Sequence, residues 1–282
     1  MGFGDKFRFD GKRVLVVGGA TGMGAAGAEL ALDLGAEVTV LDYAEIAVDG
    51  VKRLKLNLAD KTSIDGAIAK LEGPFAAVFA AAGVAEGTPG IERINFVGHR
   101  YLIQQLEDTG LIGRGSAICF ISSSAGLGWE PNFAEISELL DIDDYEEAAS
   151  WMRDRGQATY MHTKQAVCAF VAREALGYLK RGIRLNAICP GPTDTPLAQA
   201  NREQWLGGGT DFRAEVGIQP SEPIEQAFPM AFLCSEAASA ITGITLVADA
   251  GWFNAGLTHT FPAASPIAEF LMGRKLALPD GR

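Results

Sequence analysis

Short apolar runs rich in β-branched residues recur along this chain, and segments with helical spacing lie between them. That alternation constrains the fold more than any other feature. "RVLVV" (13–17), "EVTVLD" (37–42) and "VKRLKLNL" (51–58) read as strands. So do "FAAVFAAAG" (75–83), "SAICFISSS" (116–124), "IRLNAICPG" (183–191) and "ITLVADAG" (244–251). Between them, residues 24–35, 61–73, 91–106, 158–182 and 222–236 carry apolar side chains at i, i+3 and i+4, the mark of a helix with one buried face. Antiparallel strands are joined by short turns, whereas strands alternating with long helices build parallel βαβ units. Runs apolar on both faces belong in a sheet covered on both sides. The expectation is one α/β domain: a doubly wound parallel sheet of about seven strands with helices on both faces.

The bulk numbers exclude several classes. At 282 residues and 48% hydrophobic, the chain can bury a large core. A formal net charge of −11 argues against general affinity for nucleic acid or anionic membrane. No apolar run reaches the ~18 residues of a membrane span, and the N-terminus has no apolar signal region. Cys119, Cys168, Cys189 and Cys234 sit singly in apolar runs, which suits buried thiols in a reducing, cytoplasmic setting. No His, Cys and Asp cluster has metal-ligand spacing, so no metal is expected.

Between the first strand and the first helix lies "GGATGMG" (18–24), that is Gly18-x-x-x-Gly22-x-Gly24. A glycine-rich turn at this junction lets a backbone approach a pyrophosphate, and the following helix offers its N–H groups and positive dipole end. Asp42 closes the second strand 20 residues after Gly22, where a carboxylate would take the adenosine ribose hydroxyls and repel a 2′-phosphate. No Lys or Arg lies in the turn or just after Asp42. NAD is therefore expected in preference to NADP.

Further motifs follow in order: "AAAG" (80–83), "INFVG" (94–98), "ISSSAG" (121–126), Tyr160-x-x-x-Lys164 and "PGPTDT" (190–195). With the glycine turn, they make residues 12–251 resemble the short-chain dehydrogenase/reductase family. The insertion noted below is similar to that of its bacterial branch of 3α-hydroxysteroid dehydrogenase/carbonyl reductases and coniferyl-alcohol dehydrogenases. The resemblance implies a Rossmann-type fold and an NAD-dependent alcohol dehydrogenase or carbonyl reductase acting on a small apolar alcohol or ketone, such as a hydroxysteroid, an aryl-allylic alcohol or a terpenoid. It also implies a homodimer or homotetramer.

The resemblance assigns roles. Tyr160 would be the general acid/base, and a nearby ammonium would lower its pKa. Four residues apart on one helix, Tyr160 and Lys164 share a face. Lys164 would also hold the nicotinamide ribose, Ser123 the substrate oxygen, and Asn95 a water linking Lys164 to solvent. Thr21, Met23, Ala81, Ala82, Gly83, Pro190 and Gly191 would join Gly18, Gly22, Gly24 and Asp42 around the dinucleotide. Thr193 would offer its N–H to the carboxamide and Thr195 its hydroxyl to the carboxamide or pyrophosphate. Asn57 and Leu58 would lie beside adenine. Ser122 and Ser124 point away from Ser123 by strand alternation, and His162 falls on another helix face. Three departures from the family pattern stand out: Val17 before the first glycine, Ala81 in place of the usual Asn, and Ala250 in the terminal Asp-Gly-Gly.

Ser123 and Tyr160 are 37 residues apart, well beyond the family's usual interval, so a segment at about 127–157 is inserted. Its apolar positions suggest one or two amphipathic helices. They either wall the substrate cleft with Trp129, Phe133 and Trp151 or pack those aromatics into a small core of their own. Residues 196–218, with Gly207-Gly208-Gly209 and Trp205, sit where the family has a mobile substrate loop, and Trp205 is placed to cap an apolar ligand. The extension 252–282 closes its own cleft, a partner's, or neither. A second class stays in view: a non-catalytic dinucleotide-binding regulator or scaffold of the same fold.

Overall fold

The computed structural model describes residues 2–273. Seven strands, β1 (Arg13–Val17), β2 (Glu37–Asp42), β3 (Lys52–Lys55), β4 (Ala77–Ala80), β5 (Ala117–Ile121), β6 (Arg184–Pro190) and β7 (Thr245–Ala248), form one sheet. Its order is β3-β2-β1-β4-β5-β6-β7, and every pair is parallel. The chain runs outward from β1 in one direction and then returns to continue from β4 in the other. The strand order therefore reverses between β1 and β4, which opens a crevice at their carboxyl ends.

Alternation along the strands builds two cores. Leu15, Val17, Val78, Ile118, Phe120 and Leu185 face one side, under α2 (Lys61–Ile68), α3 (Gly98–Asp108) and α6 (Tyr160–Lys180). Val14, Val16, Val38, Val40, Phe79 and Cys119 face the other, under α1 (Gly22–Asp33) and α10 (Pro223–Cys234). All four cysteines are buried and free. The expected helix over 91–106 has a finer structure. A π-helical turn, Arg93–Val97, precedes α3 and contains the buried Asn95. Wide turns of this kind recur at functional positions.

The insertion forms a 3₁₀ segment (Ser124–Trp129) and two helices, α4 (Phe133–Leu140) and α5 (Tyr145–Asp154). Neither of the expected placements holds. Ile136, Leu139, Tyr145, Ala148, Trp151 and Met152 join the main core beside α3 and α6. Arg100 donates to the carbonyls of Leu139 and Ile142, and Arg173 to that of Ser137. These bonds satisfy carbonyls at the end of α4 and fix the insertion to the body of the domain.

Short helices α7 (Pro196–Ala200), α8 (Arg202–Trp205) and α9 (Thr210–Val216) make up the loop after β6. The chain then runs through α10 and β7 to α11 (Trp252–Leu257) and α12 (Ser265–Met272). The last nine residues of the expected extension, 274–282, lie outside the described residues. No helix among the described residues is long and apolar enough to cross a membrane.

Candidate active site

A cleft of about 650 Å³ opens over the carboxyl ends of β1, β4, β5 and β6. Its inner part is bordered by Met23, Ala81, Gly83, Pro190, Gly191, Thr193 and Thr195, and its outer part by Ser123, Tyr160, Met161, Trp205 and Trp252.

The glycine turn has no room for side chains. A Cβ on Gly18, whose φ is +87°, would lie 2.3 Å from the backbone of Ala82, and one on Gly24 would lie 1.9 Å from the Gly18 carbonyl oxygen. The β1 turn and the β4 loop are thereby held in contact. Thr21 stands at the N-cap of α1 but its side chain makes no capping bond. The first-turn N–H groups consequently lack a side-chain partner at the positive end of the helix. Thr195 packs its methyl against Gly22. A bared helix start behind a turn held close by Gly18 and Gly24, beside a cleft this size, fits a dinucleotide pyrophosphate.

Asp42 is fixed at the end of β2. Its two oxygens accept from the N–H groups of Ala20 and Ala44, each at 2.8 Å. Pairing of β2 with β3 also sets Lys55 opposite Asp42. The Lys55 ammonium lies 4.5 Å from the Tyr43 ring centroid and donates to the Tyr43 carbonyl. A cation therefore stands near this carboxylate, from 13 residues further along the chain. Inspection of the immediate neighbours in sequence missed it, although the strand pairing was the signal.

Not every expected cofactor contact borders the cleft. Asn57 Oδ1 is turned back to the Ala59 N–H at 3.0 Å, and the Leu58 carbonyl accepts the Tyr145 hydroxyl at 2.7 Å. Both residues lie outside the cleft lining. Thr195 Oγ1 accepts from the Ala198 N–H and caps α7, and Thr193 Oγ1 donates to the Gly191 carbonyl. The hydroxyl expected to reach a cofactor thus has a local structural bond as well.

The Ser123, Tyr160 and Lys164 side chains meet at the centre of the cleft. Thr159 caps α6, accepting from the His162 N–H, so Tyr160 is the first residue of the helix. Its phenol borders the cleft together with the Ser123 side chain. Desolvation pushes that phenol up to about 12, with Ser123 working in the opposite direction. The expected lowering of Tyr160 by Lys164 is therefore not what the protein alone does. Lys164 Nζ lies 5.5 Å from the Tyr160 ring centroid and donates to the Ile121 carbonyl at 2.9 Å. Burial pulls the Lys164 ammonium down to about 8, which weakens it as a countercharge.

The neighbouring serines do not both turn away from Ser123 as alternation predicts, because β5 ends at Ile121 and all three serines border the cleft. Ser122 is buried and donates to the Lys164 carbonyl at 2.9 Å, tying β5 to α6. Ser124 borders the cleft beside Ser123. Asn95 accepts from the Val84 N–H at 2.8 Å and donates to the Val84 carbonyl and to Thr163 Oγ1. Its amide is fully engaged in holding the β4 loop against α6. His99, unremarked in sequence, bonds the Ala82 carbonyl at 2.9 Å and supports the turn where the family's Asn is replaced by Ala81. Burial pulls His99 down to about 4, so it is neutral at pH 7. His162 bonds Thr159 and does not border the cleft.

The outer wall differs from the one expected. Trp151 is buried in the core with Arg155 over its ring, and Trp129 packs edge-on to Phe133. Neither reaches the cleft, because the apolar faces of α4 and α5 are taken up by the main core. Trp205 does reach it, with its ring centroid 5.0 Å from that of Tyr160. The extension supplies the rest of the wall: Trp252, Ala263, Ile267 and Leu271 close the cleft of their own chain. The Trp252 indole lies flat against the glycine turn of the substrate loop, and a Cβ on Gly209 would come within 2.8 Å of it. Glu86 was also missed in sequence. It borders the cleft, and its carboxylate accepts the Tyr160 N–H at 2.6 Å.

Among the described residues, no group of three or more His, Cys, Asp or Glu side chains is placed to hold a metal. A family model described as enoyl-(acyl carrier protein) reductase matches residues 147–253. Over 260 residues the chain is 30% identical to a cis-4-hydroxycyclohexanecarboxylate dehydrogenase of Sinomonas cyclohexanicum, covering 86% of this chain and 96% of that one. It is 26% identical to a coniferyl-alcohol dehydrogenase of Pseudomonas sp. strain HR199, over 85% and 96%. The crystal structure of a 3-alpha-hydroxysteroid dehydrogenase from Pseudomonas sp. B-0831 complexed with NADH superposes with a TM-score of 0.71 at 26% identity, over 88% and 99%. Likeness that runs through the whole sheet and the loops over its carboxyl edge makes this chain a member of the short-chain dehydrogenase/reductase family, oxidoreductases that use a nicotinamide dinucleotide.

Proposed function

We propose that the protein is an NAD-dependent dehydrogenase or carbonyl reductase for a small, largely apolar alcohol or ketone. One observation carries the reading: the Ser123 and Tyr160 side chains border the same cleft, with the buried Lys164 ammonium 5.5 Å from the Tyr160 ring centroid. The named activity of one relative, dehydrogenation of an aryl-allylic alcohol, agrees with a cleft walled by Trp205, Trp252, Ile267 and Leu271, whereas the substrate named for another carries a carboxylate.

The bound dinucleotide would take up or deliver a hydride at its nicotinamide ring. The protein's own side chains do the rest. Ser123 holds the substrate oxygen, and Tyr160 takes the hydroxyl proton in oxidation and returns it in reduction. Lys164 sits beside the phenol; its ammonium, with a pKa lowered to about 8, can release a proton to solvent and then take the one the phenol passes on. Asn95 and Ser122 keep the β4 loop, β5 and α6 in register around these three residues. Trp205 and the extension exclude water. Gly18, Thr21, Gly22, Met23 and Gly24 would cradle the pyrophosphate, with Ala81, Ala82, Gly83, Pro190, Gly191, Thr193 and Thr195 along the nicotinamide half. Asp42 would take the adenosine ribose and disfavour a 2′-phosphate, which is the basis for NAD over NADP.

The test is initial rates of NAD⁺ and NADP⁺ reduction with hydroxysteroids, aryl-allylic alcohols, cyclic terpenols and small secondary alcohols. Tyr160→Phe should lower kcat by about 10²-fold or more with NADH affinity nearly unchanged. A variant that keeps most of its turnover removes Tyr160 from this role. Tight NADH binding with no turnover on any alcohol favours the non-catalytic reading.

A further inference from the structure

The charge on the cleft wall narrows the substrate class. We propose that the cleft admits uncharged alcohols and ketones and rejects carboxylates, and that Glu86 is the main residue setting this preference. The inference rests on the dehydrogenase reading.

Among the described residues, and apart from the Tyr160 phenol, three ionisable side chains border the cleft: Lys164, Glu86 and Asp211. Lys164 is 4% exposed, points its ammonium at the Ile121 carbonyl and belongs to the proton-transfer group. The other two are acids. Glu86 follows Gly83 by three residues, and its Oε2 is held on the Tyr160 N–H at 2.6 Å. That bond places the carboxylate at the positive end of α6. A negative charge is therefore held on the backbone of the residue whose phenol must meet the substrate oxygen.

Asp211 is carried by the substrate loop, in the first turn of α9. The nearest cation of that loop, Arg213, is turned away. Its guanidinium donates to the carbonyls of Leu206 and Gly208 at 2.6 and 2.7 Å, and it does not border the cleft. Around the two acids the wall is uncharged: Met161, Trp205, Trp252, Ile267 and Leu271. Low-polarity walls preserve the field of the few charges present. A substrate carboxylate roughly 8 Å from Glu86, at an effective dielectric near 20, would lose about 30-fold in binding, and a neutral amide of the same shape would lose nothing.

Matched pairs test this. The full chain with NADH is titrated calorimetrically with 4-hydroxycyclohexanecarboxamide against 4-hydroxycyclohexanecarboxylate. A 3α-hydroxysteroid amide is then compared with its carboxylate, and kcat/KM with NAD⁺ is measured for each. The amide should lead by about 30-fold in each pair. Glu86→Gln keeps an acceptor for the Tyr160 N–H and should shrink the gap by about 30-fold, with Asp211→Asn shrinking it less. Carboxylates that bind as well as amides would overturn the proposal. So would a gap that neither substitution changes, or a failure of every uncharged probe to bind. The expected binding gap without turnover would instead refute the dehydrogenase reading and leave the selectivity standing.

Discussion

Lys164 offers a test that needs neither substrate nor cofactor. It is 4% exposed, and burial brings its ammonium from 10.5 down to about 8. Each tenfold change in an ionisation constant is about 1.4 kcal/mol, so the buried charge costs the folded protein about 3 kcal/mol near pH 7. Lys164→Met keeps the length of the side chain and removes the charge. It also removes the bond to the Ile121 carbonyl, which offsets about 1–2 kcal/mol of the gain. The variant should therefore be inactive yet more stable by about 1–2 kcal/mol, or roughly 2–4 °C in Tm for a chain of this size. The pH dependence separates this cause from others. Between about 8 and 10.5 the unfolded chain holds the lysine proton and the folded chain releases it, so wild-type stability rises with pH there. The advantage of the variant should be full at pH 7, vanish inside that window and become a deficit of about 1–2 kcal/mol near pH 10.5, where only the lost bond to the Ile121 carbonyl remains. Urea unfolding of both proteins at pH 7, 9 and 10.5 measures it. A variant less stable at pH 7, or a difference flat with pH, would refute the reasoning.

Other expectations follow from single contacts. Asp42→Ser removes the carboxylate that stands opposite Lys55, and the kcat/KM ratio of NADP⁺ to NAD⁺ should rise by about tenfold or more. An unchanged ratio would mean that Asp42 does not discriminate. Ala250 has a φ of +57°, a region that a Cβ disfavours by about 1–2 kcal/mol. After the added freedom of the unfolded chain, Ala250→Gly should stabilise by about 0.5–1 kcal/mol in urea unfolding. Gly209→Ala would drive a methyl to 2.8 Å from the Trp252 ring at a φ of +67°. It should displace the loop and raise KM for bulky alcohols about tenfold with little change in NADH affinity, measured by fluorescence titration. His99 favours its neutral form from 6.5 down to about 4. Stability should therefore fall as pH drops through that window, by up to about 3 kcal/mol, and a pH series of thermal melts would show it.

The order of strands and helices was legible because each strand is apolar on both faces and each helix on one, a pattern that packing then enforces. The glycine turn and the Tyr160–Lys164 pair were legible because each is a local geometry: glycines at fixed spacing in one turn, and two residues one helical turn apart. Contacts between distant elements were not. Lys55 is set opposite Asp42 by strand pairing, His99 bonds the Ala82 carbonyl from α3, and Glu86 meets Tyr160 across 74 residues. The strength of Lys164 as a countercharge was overstated for a related reason. Spacing on a helix sets distance, but burial sets charge, and burial depends on the whole fold.

The insertion joins the main core, which neither expectation placed it in, while the extension borders the cleft of its own chain, one of the placements expected, and the reason is visible in their apolar faces. In α4 and α5 the apolar positions fall on stripes wide enough to extend the core beside α3 and α6, so Trp151 is spent on packing. In the extension, the small cluster of Phe253, Ala268 and Leu271 packs with Ala125, Leu127 and Met161 at the edge of the cleft. The Leu271 carbonyl also lies so close to Gly128 that any side chain there would strike it at 1.9 Å. The extension is thus seated on the segment that follows Ser123, and its Trp252, Ala263 and Ile267 side chains border the cleft. Chemistry is carried by the ends of the sheet, which the βαβ pattern fixes. Substrate choice is carried by the loop and the extension, which meet at Trp252. Exchange of residues 196–218 and 252–273 for those of a relative should then transfer substrate preference, whereas exchange of 127–157 should alter stability alone.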